Sequence, residues 1–299
     1  MKAVPENIHE ASFSMYLYNK GHSSKTLEIN LRHVHEFIKW LATQNIEVET
    51  VGYSDVTGYI QHCKARKNKA ATIQKYLISI KHYYTHLQAE ELVADNPASN
   101  IEIKGVQRNH LYEILSYEAL ENLYKNYPET TLAQKRNRII VGLLVYQGIR
   151  SEDLTTLTIQ DVKVREGQLH LQGGRRYNER ILTLESHQII ELQEYLLDTR
   201  KQLLALTGKI THQLFISYGT STRIQNLVQQ LLKQLKKQHP RLKNHDQIRA
   251  SVITGWIKNM NLRKAQYLAG HRYISSTEAY KVNDIEGLQE EINNYHPLG

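Results

Sequence analysis

At 299 residues the chain is long enough for two domains; its apolar fraction of 40% is modest and its mean hydropathy of −0.53 low, but apolar periodicity runs nearly throughout, which argues for a folded, helix-rich protein and against a disordered one. A formal net charge of +8 points to an acidic polymer as partner, nucleic acid being the commonest. One cysteine, Cys63, excludes a disulfide framework and a cysteine zinc site. The longest apolar run, Ile139 to Val145, is too short to cross a membrane, and Met1-Lys-Ala-Val-Pro-Glu-Asn has no apolar signal core, so the expected setting is a reducing cytoplasm.

A first helix is predicted near Ser12 to Asn19. Ser23-Ser24 then precedes Leu27, Leu31, Val34, Ile38 and Leu41, one apolar face of a helix with a serine cap at its start. Val56, Tyr59, Ile60 and Cys63 mark a shorter helix. Ile73, Leu77, Ile80, Tyr84 and Leu87 mark a fourth, and Asn96-Pro97 ends the run. This four-helix unit, residues 1–98, carries an outward basic set of Lys64, Arg66, Lys67, Lys69, Lys75, Lys81 and His82, suited to neutralising phosphates. Residues 99–112 show neither helical nor strand period and read as a linker to a second domain over 113–299.

In that second domain a helix over Leu120 and Leu123 stops before Pro128, and a longer one runs from about Thr131 to Gln147 with Ile139, Ile140, Leu143 and Leu144 inward, ending at Gly148. Arg150 and Asp153 follow, neighbours on one face if a helix starts there. The alternation Leu169-His-Leu171, the turn signal Gly173-Gly174 and the return Arg180-Ile-Leu-Thr-Leu184 predict a small antiparallel sheet over about 161–184, with Arg175-Arg176 at its tip. Ser186 is expected to cap a long helix closed by Gly208, and Leu214-Phe-Ile216 a short extended piece. A basic helix over Leu227, Leu231 and Leu235 ends at His239-Pro240. Asn244-His245-Asp246-Gln247-Ile248-Arg249 leads into another helix, and Asn261 caps the next, which Gly270 breaks just before His271. Ser275 or Ser276 would cap a further helix with Tyr280 early on it, and Ile285, Leu288 and Ile292 form a last apolar stripe. The fold class is therefore mainly α, with a small sheet in the second domain.

Taken singly, none of these residues stands out among 19 tyrosines and 38 lysines and arginines. The ordered set does. Gly148-Ile149-Arg150-Ser-Glu-Asp153-Leu154, then Arg249 placed 22 residues before His271, then Leu268-Ala-Gly270-His271 with Tyr280 nine residues on, resembles the tyrosine site-specific recombinases of the phage-integrase family. The N-terminal unit is similar to that family's core-binding domain, so the resemblance covers most of the chain. It implies two domains clamping duplex DNA, cleavage and rejoining through a covalent 3′-phosphotyrosine, and no cofactor or metal. It also implies a homo-oligomer on DNA, a tetramer, with the C-terminal stripe docked on a neighbouring subunit. The expected enzyme is the integrase of a mobile element, cytoplasmic and nucleoid-associated.

The resemblance implies that Arg150 and Arg249 grip the non-bridging oxygens of the scissile phosphate, because in-line displacement builds negative charge there. Losing one such donor costs about 3 to 4 kcal/mol of barrier. His271 would donate to the same phosphate, Tyr280 would attack phosphorus, and Asp153 would hold Arg150 by an ion pair. Two positions depart from the family pattern. Arg175 stands where the hairpin lysine is usual; a guanidinium holds its proton up to about pH 12 and is a poor general acid. Either Arg175 stabilises the leaving oxygen electrostatically, or the hairpin is shifted so that Arg176 serves. Three residues before Arg249 lies Asp246 rather than a base of the usual kind; His245, on the same helical face as Arg249, would take that role with Asp246 as helix cap. A catalytically decayed DNA-binding protein and a relaxing topoisomerase of similar chemistry are the alternatives.

Overall fold

The computed structural model describes residues 9–106, 113–175, 177–219 and 224–281. The chain divides into two compact units, Met1–Arg108 and Asn109–Gly299.

Among the described residues the first unit has four α-helices, α1 (Glu10–Asn19), α2 (Ser24–Gln44), α3 (Tyr53–Ala65) and α4 (Ala70–Ala89). Ser23 caps α2, its hydroxyl accepting from the Thr26 N–H at 3.3 Å. The core is unusually aromatic: Phe13, Phe37, Tyr59, Tyr83 and Tyr84 are buried with Val34, Leu41, Ile73 and Ile80, and Tyr84 Oη donates to the Val48 carbonyl at 3.0 Å. Inside α2 and α4 the polar pair His33–Ser79 meets at 2.9 Å, which lets two hydrophilic side chains sit among apolar ones. Ala98 and Ile101 are buried in this same core. The chain after Pro97 therefore belongs to the first unit and is not a free linker; residues 107–112 lie outside the described residues.

The second unit is built around α6 (Leu132–Tyr146), whose Ile139, Ile140, Val141, Leu143, Leu144 and Val145 are all buried. From Ile139 to Val145 this helix is apolar on every side, the mark of a central helix. Packed with it are α5 (Tyr117–Lys125, capped by Ser116), α8 (Ser186–Glu194), α9 (Arg200–Thr207) and α11 (His245–Asn259), and α10 (Ile224–Gln238) adds its buried face to the same core. The helix expected after Ser186 is capped by Glu185, whose N–H is met by Gln188 Oε1 at 2.9 Å, and contains one wide turn, Tyr195–Thr199, before Gly208 closes it in the left-handed region. The 214–216 segment is buried but irregular, held by the Thr158–Gln213 bridge rather than by a strand. The remaining elements are α7 (Ser151–Thr156), α12 (Leu262–Ala269), capped by Asn261, and the single turn α13 (Ser275–Glu278).

The sheet is antiparallel in the order β1 (Val162–Lys163), β2 (Gln168–Leu171) and β3 (Arg180–Thr183), with Leu169 opposite Leu182 and Leu171 opposite Arg180. The inward face of β3 therefore begins with an arginine. Arg175 lies in the exposed β2–β3 loop; Arg176 lies outside the described residues.

Candidate active site

Six chain segments of the second unit converge. The end of α6 delivers Arg150 through Gly148, whose φ of 51° and a Val252 methyl only 3.0 Å from where a Cβ would stand leave little room for any other residue. Arg150 is the residue before α7, and its N–H donates to Asp153 Oδ2 at 3.0 Å. The same oxygen accepts from Arg180 Nη2 at 2.8 Å, so the ion pair of Asp153 is with Arg180 and not with the Arg150 guanidinium. The reason is geometric: as third residue of α7, Asp153 folds back on the free N–H of the residue before the helix, and its carboxylate then faces the inward end of β3. Arg180 is 1% exposed, yet among the described residues its Nε and Nη1 have no hydrogen-bond partner, and Arg150 Nη1 is likewise buried and unpartnered there. The Arg150 Cζ lies 4.4 Å from the centroid of the Tyr177 ring.

From α11, Arg249 donates through Nη1 to the Gly148 carbonyl and through Nη2 to the Ala269 carbonyl at 2.7 Å, with His271 Nε2 at 3.4 Å. Burial first, then the neighbouring Arg150, pull its guanidinium down to about 10. His271 follows the left-handed Gly270 (φ 68°), as the glycine breaker predicts. Its Nδ1 is 2.9 Å from Thr277 Oγ1 and its ring is stacked on Tyr280, centroids 5.6 Å apart and planes at 14°. Burial, reinforced by Arg249, Arg150 and Arg180, holds the imidazole down to about 3, so it is neutral at pH 7.

Tyr280 is half-buried and stands just beyond α13, not early on a longer helix. Neither Ser275 nor Ser276 caps that turn: the N–H groups of Ser276, Thr277 and Glu278 find the backbone carbonyls of Tyr273 and Ile274 instead. The turn is pinned by the Thr277–His271 bond, and this fixes Tyr280 against the imidazole.

His245 is the first residue of α11, its Nε2 3.3 Å from Ser151 Oγ and 3.3 Å from Asp246 Oδ1. The cap of α11 is Asn244, which accepts from the Gln247 N–H at 2.8 Å, and not Asp246: the residue before the helix is the one whose side chain reaches back to the free N–H groups. Arg175 is exposed, and its carbonyl accepts from Arg272 Nη1 at 3.1 Å. In the first unit Lys64, Arg66, Lys67, Lys69 and Lys75 are all exposed, spread from the end of α3 through the turn into α4. Lys81 and His82 depart from that set: the Lys81 ammonium donates to the Ser99 carbonyl at 2.8 Å, and His82 is half-buried against His22.

Residues 113–286, more than half of the chain, match the profile of the phage integrase family, and residues 11–91 match the N-terminal SAM-like domain of phage integrases. The chain belongs to the phage integrase family of tyrosine site-specific recombinases. Among curated relatives, tyrosine recombinase XerC of Lacticaseibacillus casei is 26% identical over 298 residues, covering 96% of this chain and 98% of that protein. XerC of Halalkalibacterium halodurans is 27% identical over 300 residues, covering 96% of each. Two solved structures share the fold. XerH recombinase bound to a palindromic difH substrate aligns with a TM-score of 0.72 at 16% identity, over 94% of this chain and 83% of that one. The Tn1549 transposon integrase in complex with transposon right-end DNA aligns with a TM-score of 0.67 at 16% identity, over 96% and 98%.

Sequence reasoning brought Arg150, Asp153, Arg249, His271, Tyr280 and His245 to one region of this family fold but missed three side chains there. Arg180 reads only as the start of the returning strand, although period-two alternation already puts it on one face with Leu182 and Leu184. Thr277 and Tyr177 carried no local signal, because what distinguishes them is contact with residues far along the chain.

Proposed function

We propose that this family member cuts and rejoins duplex DNA at specific sites, with Tyr280 as nucleophile. The observation that carries the reading is a buried cationic cluster short of negative charge. Among the described residues, Arg150, Arg180 and Arg249 surround a neutral His271 with the carboxylate of Asp153 among them, and three guanidinium nitrogens of Arg150 and Arg180 have no partner. Such a cluster fits an anion, and the Tyr280 ring lies on its imidazole.

With a phosphodiester in place, Arg150 and Arg249 grip the non-bridging oxygens as charge builds on them. Arg180 adds to the field from behind and keeps Asp153 from neutralising Arg150. His271 donates one hydrogen bond to the same phosphate, and the arriving anion lifts the electrostatic pressure that keeps the ring neutral. The Tyr280 oxygen forms a bond to phosphorus as the bond to the 5′-oxygen breaks, leaving a 3′-phosphotyrosine and a 5′-hydroxyl, with bond energy conserved for religation. The tyrosine proton passes to a base, His245 beside Ser151 being the candidate; the leaving 5′-oxygen takes its proton from solvent water while the Arg175 guanidinium stabilises the developing charge electrostatically. The arginines balance the charge, and the scheme calls on no metal or cofactor.

Lys64, Arg66, Lys67, Lys69 and Lys75 would hold the duplex through its phosphates, with Arg176 at the hairpin. We further propose a tetramer on DNA exchanging C-terminal segments, although Ile285, Leu288 and Ile292 lie outside the described residues, and action on a mobile element in the cytoplasmic nucleoid. A second reading, a DNA-binding member that no longer cleaves, is favoured by Arg175 in place of lysine and by Asp246. Nicked duplexes incubated with the protein and run on native and denaturing gels separate the two. A denaturant-resistant adduct lost in Tyr280→Phe supports the enzyme. A native shift without adduct supports the second reading. Cleavage left intact by His245→Ala contradicts the role given to that residue.

A further inference from the structure

Arg150 is one of the two cations that grip the phosphate in the proposed reaction, yet among the described residues its guanidinium has no carboxylate partner: Asp153 is committed to Arg180 and to the Arg150 backbone. What faces the guanidinium is the ring of Tyr177, 4.4 Å from Cζ to centroid. Tyr177 is itself fixed. Its carbonyl accepts from the Gly174 N–H at 2.9 Å, its backbone bridges to His271, and the next residue, Asn178, donates to the Gly270 carbonyl at 3.0 Å. Its ring lies across Gly174 so closely that a Cβ there would stand 3.0 Å from Cε2 and Cζ. A side chain ordered this tightly on a loop between strands is more than a surface aromatic.

We propose, resting on the recombinase reading, that Tyr177 is a positioning residue for the phosphate grip: its ring face holds the Arg150 guanidinium in place of a carboxylate. A carboxylate would occupy the in-plane N–H fork and cancel the charge needed at the phosphate. An aromatic face attracts the cation through its π density and leaves the in-plane donors free. The unpartnered, buried Nη1 of Arg150 is the donor so kept. A second consequence follows from chain position. Tyr177 sits two residues after Arg175 on the β2–β3 loop, so seating that loop against His271 and setting the Arg150 fork are one event. A displaced loop takes the arginine's support with it.

Three measurements test this. Tyr177→Phe keeps the face and Tyr177→Leu removes it. In single-turnover cleavage of a nicked duplex at saturating protein, the Phe variant is expected within about threefold of the parent and the Leu variant about tenfold or more slower, with gel-shift affinity unchanged, as loss of a desolvated cation–π contact requires. On a duplex with a neutral methylphosphonate at the scissile position there is less charge for Arg150 to meet, so the Leu defect should shrink to within about threefold. Third, with no DNA present, the Nε–Hε proton of Arg150, identified by its loss in Arg150→Lys, should lie upfield from the ring current of Tyr177. The proposal is overturned by a Leu variant as fast as the parent, by a Phe variant as slow as Leu, by equal Leu defects on both substrates, or by an unshifted Arg150 resonance. The resonance decides the stack even if Leu fails to fold. A parent protein that forms no adduct removes the recombinase reading, and the resonance still judges the contact.

Discussion

Replacing Asp153 with Asn should be among the most damaging single changes in the second unit. The Arg180–Asp153 pair is buried on both sides, 1% and 3% exposed, at 2.8 Å. An asparagine oxygen can still accept from the Arg150 N–H, so the change isolates the charge. It leaves Arg180 as a sealed cation whose Nε and Nη1 already lack partners among the described residues, beside Arg150 and Arg249. Removing one partner of a buried ion pair costs about 3–5 kcal/mol. For a unit of this size each kcal/mol lowers the melting temperature by about 2–4 °C, so a fall of about 6–20 °C is expected. Scanning calorimetry of the full chain reads it, with the transition of the first unit as internal control. The double variant Asp153→Leu/Arg180→Met, which removes both charges, should recover much of the loss. An Asn variant melting within about 2 °C of the parent would refute the reasoning. So would a double variant less stable than the single one.

Two further outcomes follow from the same geometry. His271 takes up its proton near 6.5 when unfolded and near 3 when folded, so between those values the unfolded chain binds a proton that the folded chain refuses. Stability from this group is present above pH 6.5 and lost as pH falls toward 3, amounting to roughly 2 kcal/mol by pH 5. Denaturant titrations of parent and His271→Gln should differ in their slope between pH 7 and 5, and parallel curves would contradict it. In the first unit, Lys67→Ala and Lys69→Ala should each lower the slope of log affinity against log salt by about 0.9, read from gel shifts across a salt series; unchanged slopes would remove them from the phosphate contacts.

Most of the second unit could be read from local rules. Ser116, Asn261, Gly208 and Gly270 punctuate helices where capping chemistry requires them, because a cap needs only its own three or four neighbours. Local rules failed where two candidates competed for one end. Glu185 was preferred over Ser186, Asn244 over Asp246, and backbone carbonyls over Ser275 and Ser276. The site shows the same boundary. Arg150, Arg249, His271 and Tyr280 were legible as an ordered set only through the family resemblance, and the fold brings these four side chains together. The partner of Asp153 was not: an i, i+3 pairing with Arg150 is the local choice, whereas Arg180, 27 residues away, wins only once β3 is folded. Tyr177 is the same case, visible as one aromatic among many until the loop brings it against the guanidinium.

The most direct test of the central claim is the identity and polarity of the covalent link. A nicked duplex labelled on one strand 5′ of the crossover is trapped with the protein, digested with trypsin and analysed by mass spectrometry. A 3′-phosphoryl nucleotide on the peptide containing Tyr280, with a free 5′-hydroxyl on the released downstream fragment of the same strand, is the result this account predicts. A nucleotide on any other tyrosine, or a 5′-phosphoryl link, would contradict it.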